Sequence, residues 1–196
     1  MARPKNKENI ILEAAVRVFL EKGFSATTIQ DVASAAGIAK GTIYDYFKDK
    51  DELFIAAFKY QKCQAKEEIV EILKQHDNFL DKVNAMLDFP IQSKGFFPKW
   101  MEIVRNAVPV LKESALAGLP HPSAMHQDGI EVWSEIIQLG IQEGKIPEVD
   151  VAFMATCAFF LTISFDHFIF DHDPLHYQQE KEMFLDFLFH GMRLKA

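Results

Sequence analysis

Cysteine is scarce: Cys63 and Cys157 are the two in the chain, far apart, and neither belongs to a Cys-x-x-Cys pair or stands beside a histidine. A disulfide framework or zinc ribbon is therefore not indicated, and a reducing cytoplasm is the expected setting. Long apolar runs are lacking too. The longest, Val151 to Phe165, is 15 residues framed by Asp150 and Asp166. A membrane span needs about 20, so this run reads as a buried helix, and the first residues carry no apolar stretch of the secretory kind. No alternating strand pattern occurs. Neither does a Gly-x-Ser-x-Gly elbow, a phosphate-binding loop, a dinucleotide fingerprint or a His-Glu-x-x-His, so the sequence offers little basis for catalysis and none for a cofactor.

What is present is a chain of 196 residues, 49% hydrophobic, long enough to bury a core in one or two domains. Its charge is unevenly shared. Residues 1–62 hold ten Lys/Arg against eight Asp/Glu, giving +2, and the remaining eleven against twenty give −9, for the total of −7. An acidic protein with a mildly basic head suits a small, oriented nucleic-acid footprint rather than broad coating. The arm Arg3-Pro4-Lys5-Asn6-Lys7 reads equally as a solvated terminus or as a contact to backbone or minor groove.

The informative segment is Thr27 to Lys50. Ile29, Val32, Ala33 and Ala36 recur at helical spacing behind Thr28, a capping residue with Asp31 three positions on. Gly37 supplies a turn in which positive φ costs nothing, and Ile38 fills the angle before a second helix over 40–47. There Ile43 and Phe47 point inward, leaving Lys40, Thr42, Tyr44 and Tyr46 exposed beside Gly41. An ordinary surface helix favours Glu, Lys and Gln; this face suits the major groove and its phosphate rim. The pattern predicts a helix-turn-helix that binds duplex DNA.

Upstream, Ile11, Ala14, Ala15, Val18 and Phe19 make an amphipathic helix that ends at Glu-Lys-Gly-Phe, and downstream Asp49-Lys50-Asp51-Glu52-Leu53-Phe54 opens a fourth. With Gly23-Phe24, Thr27-Thr28, Val32-Ala33, Ala36-Gly37-Ile38, Lys40-Gly41-Thr42-Ile43-Tyr44 and Tyr46-Phe47, this block closely resembles the DNA-binding domain of the tetracycline-repressor (TetR) family of transcriptional regulators. The likeness covers the first quarter to third of the chain. It implies an all-α fold, with an N-terminal three-helix helix-turn-helix domain at residues 1–50 and a C-terminal helical ligand-binding and dimerisation domain at 51–196. It also assigns roles in the head. Thr28 would fix the second helix and turn its N–H toward a phosphate, and Gln30 would reach a base edge. Lys40, Gly41 and Thr42 would begin the recognition helix, Tyr44 and Tyr46 would meet phosphates or a thymine methyl, and Lys50 would meet the backbone. Asp45 is the odd member, since a carboxylate there must face away from DNA or accept from a cytosine amino group.

Beyond residue 50 the pattern stays helical: a long segment toward residue 75, a short helix over 79–88, and helices near 97–107, 110–117, 123–143, 150–171 and 174–193, with boundaries expected at prolines such as Pro90, Pro98, Pro109 and Pro147. Pro109 either separates two helices or kinks one. The helix over 150–171 is apolar nearly all round and that over 174–193 has a broad apolar face, more than one small core requires. The resemblance implies that this pair forms a homodimer interface, which would set two recognition helices about 34–36 Å apart on a palindromic operator.

Phe96, Phe97, Trp100, Met101, Trp133, Met154 and Phe160 are residue types that line apolar cavities as well as fill cores. With the resemblance they become candidates for binding a small hydrophobic effector. The cluster Asp166-His167 with Asp171-His172-Asp173 reads either as a helix terminus or as metal ligands. No metal is expected. Against an operator-binding, effector-released repressor stand a helical hydrophobic-ligand carrier and a metal-dependent enzyme without DNA binding, both of which leave Tyr44 and Lys40 without a role.

Overall fold

A computed structural model of the chain describes residues 6–92, 96–118, 126–170 and 176–190, with the backbone alone described at 92, 96–98, 167, 169 and 170. Every regular element among the described residues is helical: α1 Lys7–Ala26, α2 Ile29–Ala36, α3 Lys40–Tyr44, α4 Lys50–Leu73, α5 Phe79–Gln92, α6 Phe96–Ala107, a 3-10 turn Val108–Val110, α7 Glu113–Leu116, α8 Gln127–Gln142, α9 Val151–Phe170 and α10 Tyr177–His190. No helix among the described residues is long and apolar enough to cross a membrane.

The chain divides into two compact units, Met1–Glu67 with Lys99–Pro122, and Glu68–Pro98 with Ser123–Ala196. The first does not stop at residue 50. It takes in the first part of α4 and a later segment, because its core is aromatic and needs both. Phe19 of α1 meets Phe54 of α4 edge-on at 5.0 Å between centroids, Phe24 meets Phe54 at 4.9 Å, and Trp100 of α6 closes the cluster 5.8 Å from Phe54. These spacings are those of favourable edge and tilted aromatic pairs. The face Ile11, Ala14, Ala15, Val18 and Phe19 is buried as its spacing predicts. Gly23, at φ 75°, breaks α1 and turns Phe24 into the core.

In the second unit α8 packs on α9 and α5, around Val83, Trp133, Ile136, Ala155 and Ala158. Gly140 of α8 is required there, since an added Cβ would lie 2.7 Å from the Ile146 side chain and 2.9 Å from that of Phe79.

One proline expectation changes and one open alternative is resolved. Pro90 lies inside α5, which runs on to Gln92; so near the helix end the ring forfeits a single backbone bond and the chain tolerates it. Pro109 sits in the 3-10 turn, after which Leu111 is extended, so α6 and α7 are separate helices.

Candidate nucleic-acid interface

The interface is built on two caps. Thr28 Oγ1 accepts the Asp31 N–H at 3.1 Å while Asp31 Oδ2 accepts the Thr28 N–H at 2.9 Å, the reciprocal capping box that the sequence predicts. Lys22 reaches Asp31 Oδ1 at 2.6 Å. Its ammonium, then the Thr28 hydroxyl and N–H, hold the Asp31 carboxyl well below the usual carboxylate range. The box also consumes the Thr28 amide, the group expected to face a phosphate. At the other end of α2, Gly37 takes φ 67° and donates to the Ala33 and Ser34 carbonyls.

Immediately beyond stands α3, only five residues long. Ile43 and Phe47 are buried. Tyr44 is 48% exposed and Tyr46 40% exposed, but Tyr46 lies in the turn after α3 rather than on it, because the helix ends at Tyr44. The Lys40 ammonium sits 5.7 Å from the Tyr44 ring centroid. Gly41 is exposed, and an added Cβ there would meet nothing within 4 Å. Neither positive φ nor internal packing calls for glycine at this position, so its smallness is directed outward. Thr42 is half-buried, Gln30 and Asp45 are exposed, and the Gln30 amide donates to Ser34 Oγ at 3.4 Å.

Lys50 departs from its expected role. Its ammonium donates to the carbonyls of Phe24, Ser25 and Thr27 at 2.9, 3.3 and 3.0 Å. It therefore satisfies the chain end that Gly23 turns away from α1, instead of projecting toward a phosphate.

The described effector candidates are divided between the two units. Trp100 completes the aromatic core of the first unit, whereas Trp133 is buried in the core of the second. Met101 and Met154 are half-buried, and Phe160 is 46% exposed, against His126 and Phe159. The side chains of Phe96, Phe97 and His167, and all of Asp171, His172 and Asp173, lie outside the described residues. Among those described, no group of three His, Cys, Asp or Glu side chains is placed to hold a metal ion.

A groove of about 350 Å³ instead runs along α9 and α10, lined by Leu161, Ser164, Phe165, Phe168, Glu180, Met183, Phe184 and Phe187. None of the seven candidates is among them; the signal for it was the all-round apolar surface of α9. Nearby, Tyr177 donates to Asp88 at 2.6 Å and Lys181 pairs with Asp88 at 2.7 Å. Among the described residues Asp166 Oδ1 is buried without a hydrogen-bond partner, and burial pushes that carboxyl up to about 8.

A capped helix, a glycine turn and a short helix that shows tyrosines and lysine to solvent define a helix-turn-helix. Residues 11–57 match the family described as bacterial regulatory proteins, tetR family. The chain is similar to the HTH-type transcriptional regulator YhgD of Bacillus subtilis, 40% identical over 88 residues, and covers 43% of its own length and 46% of that protein's. It thus spans about half of that relative. The HTH-type transcriptional repressor KstR2 of Mycolicibacterium smegmatis is 24% identical over 164 residues, 76% of this chain and 73% of that one. In fold, the crystal structure of FadR from Bacillus subtilis in complex with stearoyl-CoA superposes with a TM-score of 0.67 at 21% identity, over 94% of this chain and 99% of that one. The match to the tetR family is thus a match of the N-terminal helix-turn-helix segment, and the likeness over the remainder is one of fold.

Proposed function

We propose that the protein is a homodimer that binds a palindromic operator in the cytoplasm, represses transcription there, and is released by a small, largely hydrophobic effector. The observation that carries the DNA-binding part is Gly41. A glycine that its own fold does not require, at the second position of a helix flanked by Lys40, Thr42 and Tyr44, suits close approach of a duplex to the backbone. Repression is favoured by the naming of KstR2 as a repressor.

Dimerisation is supported by the surface of α9 and α10, where Phe168, Met183 and Phe187 are 46%, 67% and 38% exposed around an apolar groove. Such a patch suits a covered face better than open water. Effector binding belongs to the second unit, whose core and grooves are apolar and aromatic. Because stearoyl-CoA is the ligand of the FadR structure, a long-chain acyl thioester is the first effector to try.

The test is an anisotropy titration against DNA flanking the protein's own gene, with an unrelated duplex as control, at two salt concentrations. Saturation at two subunits per site, lost when one half-site is scrambled and relieved by stearoyl-CoA, is the expected result. Equal affinity for both duplexes at every salt concentration would remove the operator from the reading.

A further inference from the structure

The segment Lys99–Pro122 belongs to the DNA-binding unit although body residues precede and follow it in the chain. Its attachment is specific. Trp100 seals the aromatic core, and the Leu111 side chain is buried. An added Cβ at Gly118 would lie 3.3 Å from Ile55 Cγ2 of α4. At its centre Lys112 holds the start of α4 twice. Its backbone N–H donates to Asp51 Oδ2 at 3.1 Å, and its ammonium meets Asp49 Oδ2 at 2.7 Å. Asp51 is buried, which makes the first bond the stronger of the two; the ion pair is exposed, where such pairs count for little alone.

Asp49 is not a neutral anchor point. Its other oxygen accepts the Glu52 N–H at 3.0 Å, and the Glu52 carboxylate accepts the Lys48 N–H at 2.7 Å. Asp49, which Lys112 grips, is thus joined through Glu52 to Lys48, in the short link that runs from the recognition helix to α4.

We propose that Lys112, outside the helix-turn-helix in sequence, is a positioning residue for DNA binding: through Asp49 and Asp51 it fixes the seat of the recognition helix, and its release lowers operator affinity without any lost contact to DNA. The inference rests on the DNA-binding reading above.

The backbone supplies a clean test. Lys112 has φ −64° and Leu111 has φ −69°, ψ 145°, the values that proline and the residue before it adopt without strain. Lys112→Pro thus deletes both donors while the fold admits the ring. Full-length protein would be titrated with the best duplex recovered from a random-sequence pool, and hydrogen exchange followed over residues 40–50 without DNA. The expected result is an approximately tenfold loss of affinity for Lys112→Pro, an unchanged slope of log affinity against log salt, faster exchange in α3, and wild-type behaviour for Lys112→Arg. Lys112→Met, which keeps the N–H bond to Asp51, should lose less than the proline variant and serves should that variant fold poorly.

Wild-type affinity in both variants, with α3 exchange unchanged, would overturn the positioning role while leaving DNA binding intact. A salt slope lowered by about one per subunit would overturn it differently, by making Lys112 a phosphate contact. Recovery of no duplex by the wild-type chain would instead remove the DNA-binding reading itself, and the positioning role with it.

Discussion

The ammonium of Lys50 stands 4.4 Å from the centroid of the Phe24 ring while donating to the Phe24 carbonyl at 2.9 Å. One cation thus closes the end of α1 and rests on the aromatic core beneath it. Lys50→Met should lower unfolding stability by about 1–3 kcal/mol, the scale of hydrogen bonds to a charged group, measured by urea titration. The salt dependence of duplex binding should be unchanged. Undiminished stability together with a shallower salt slope would restore Lys50 to the phosphate backbone.

Gly41 should separate folding from binding. Gly41→Ala adds a methyl to open space in a helix, so it should stabilise the protein by up to about 1 kcal/mol while weakening duplex binding at least tenfold. Tyr44→Ala, at an exposed ring, should leave the melting curve nearly unmoved and lose binding severely. Calorimetry and anisotropy on the same preparations check both; a Gly41→Ala protein with full affinity would mean that no backbone approach occurs there.

Asp166 should give stability a pH slope of unusual sign. Its folded carboxyl is raised from 3.8 to about 8 by burial, so between those values the native state keeps a proton that the unfolded chain has released. Stability should therefore fall as pH rises from about 4 to about 8 and level off above. Asp166→Asn should flatten that limb and become more stable than wild type near pH 8. Parallel slopes for the two proteins in urea titrations at pH 5, 6.5 and 8 would show the carboxyl to be solvated.

The apolar face of α9 and α10 should be sensitive to charge. Met183→Lys, in the groove and 67% exposed, should leave the helical content intact and shift the sedimentation coefficient from dimer to monomer, with loss of palindrome binding. A dimer that persists at micromolar concentration would place the interface elsewhere.

The parts of this architecture that the sequence made legible are those encoded locally. Thr28 with Asp31, Gly37, and the spacing of Ile29, Val32 and Ala33 each declare themselves within a few residues, and the structure realises them. The spacing of Tyr46 fits the recognition helix, yet α3 ends at Tyr44, a matter of helix termination rather than periodicity. The carbonyl partners of Lys50 become its neighbours only once the head has folded, whereas the Thr28 amide is engaged locally, by the Asp31 carboxylate of its own capping box. Trp100 is the clearest case. Its residue type suits a cavity wall as well as a core, and only a contact spanning the distance back to Phe19 and Phe54 decides between them.

That contact bears on how such proteins can be recombined. The family match ends at residue 57, which invites a chimera that joins this head to another body at that point. Such a graft would leave Trp100 behind, uncover the edges of Phe19 and Phe54, and free Asp51 from the N–H it accepts. A transplant that carries Lys99–Pro122 along with the head, re-entering the recipient at both ends of that insertion, preserves the reader as a folded module; a simple cut and paste does not.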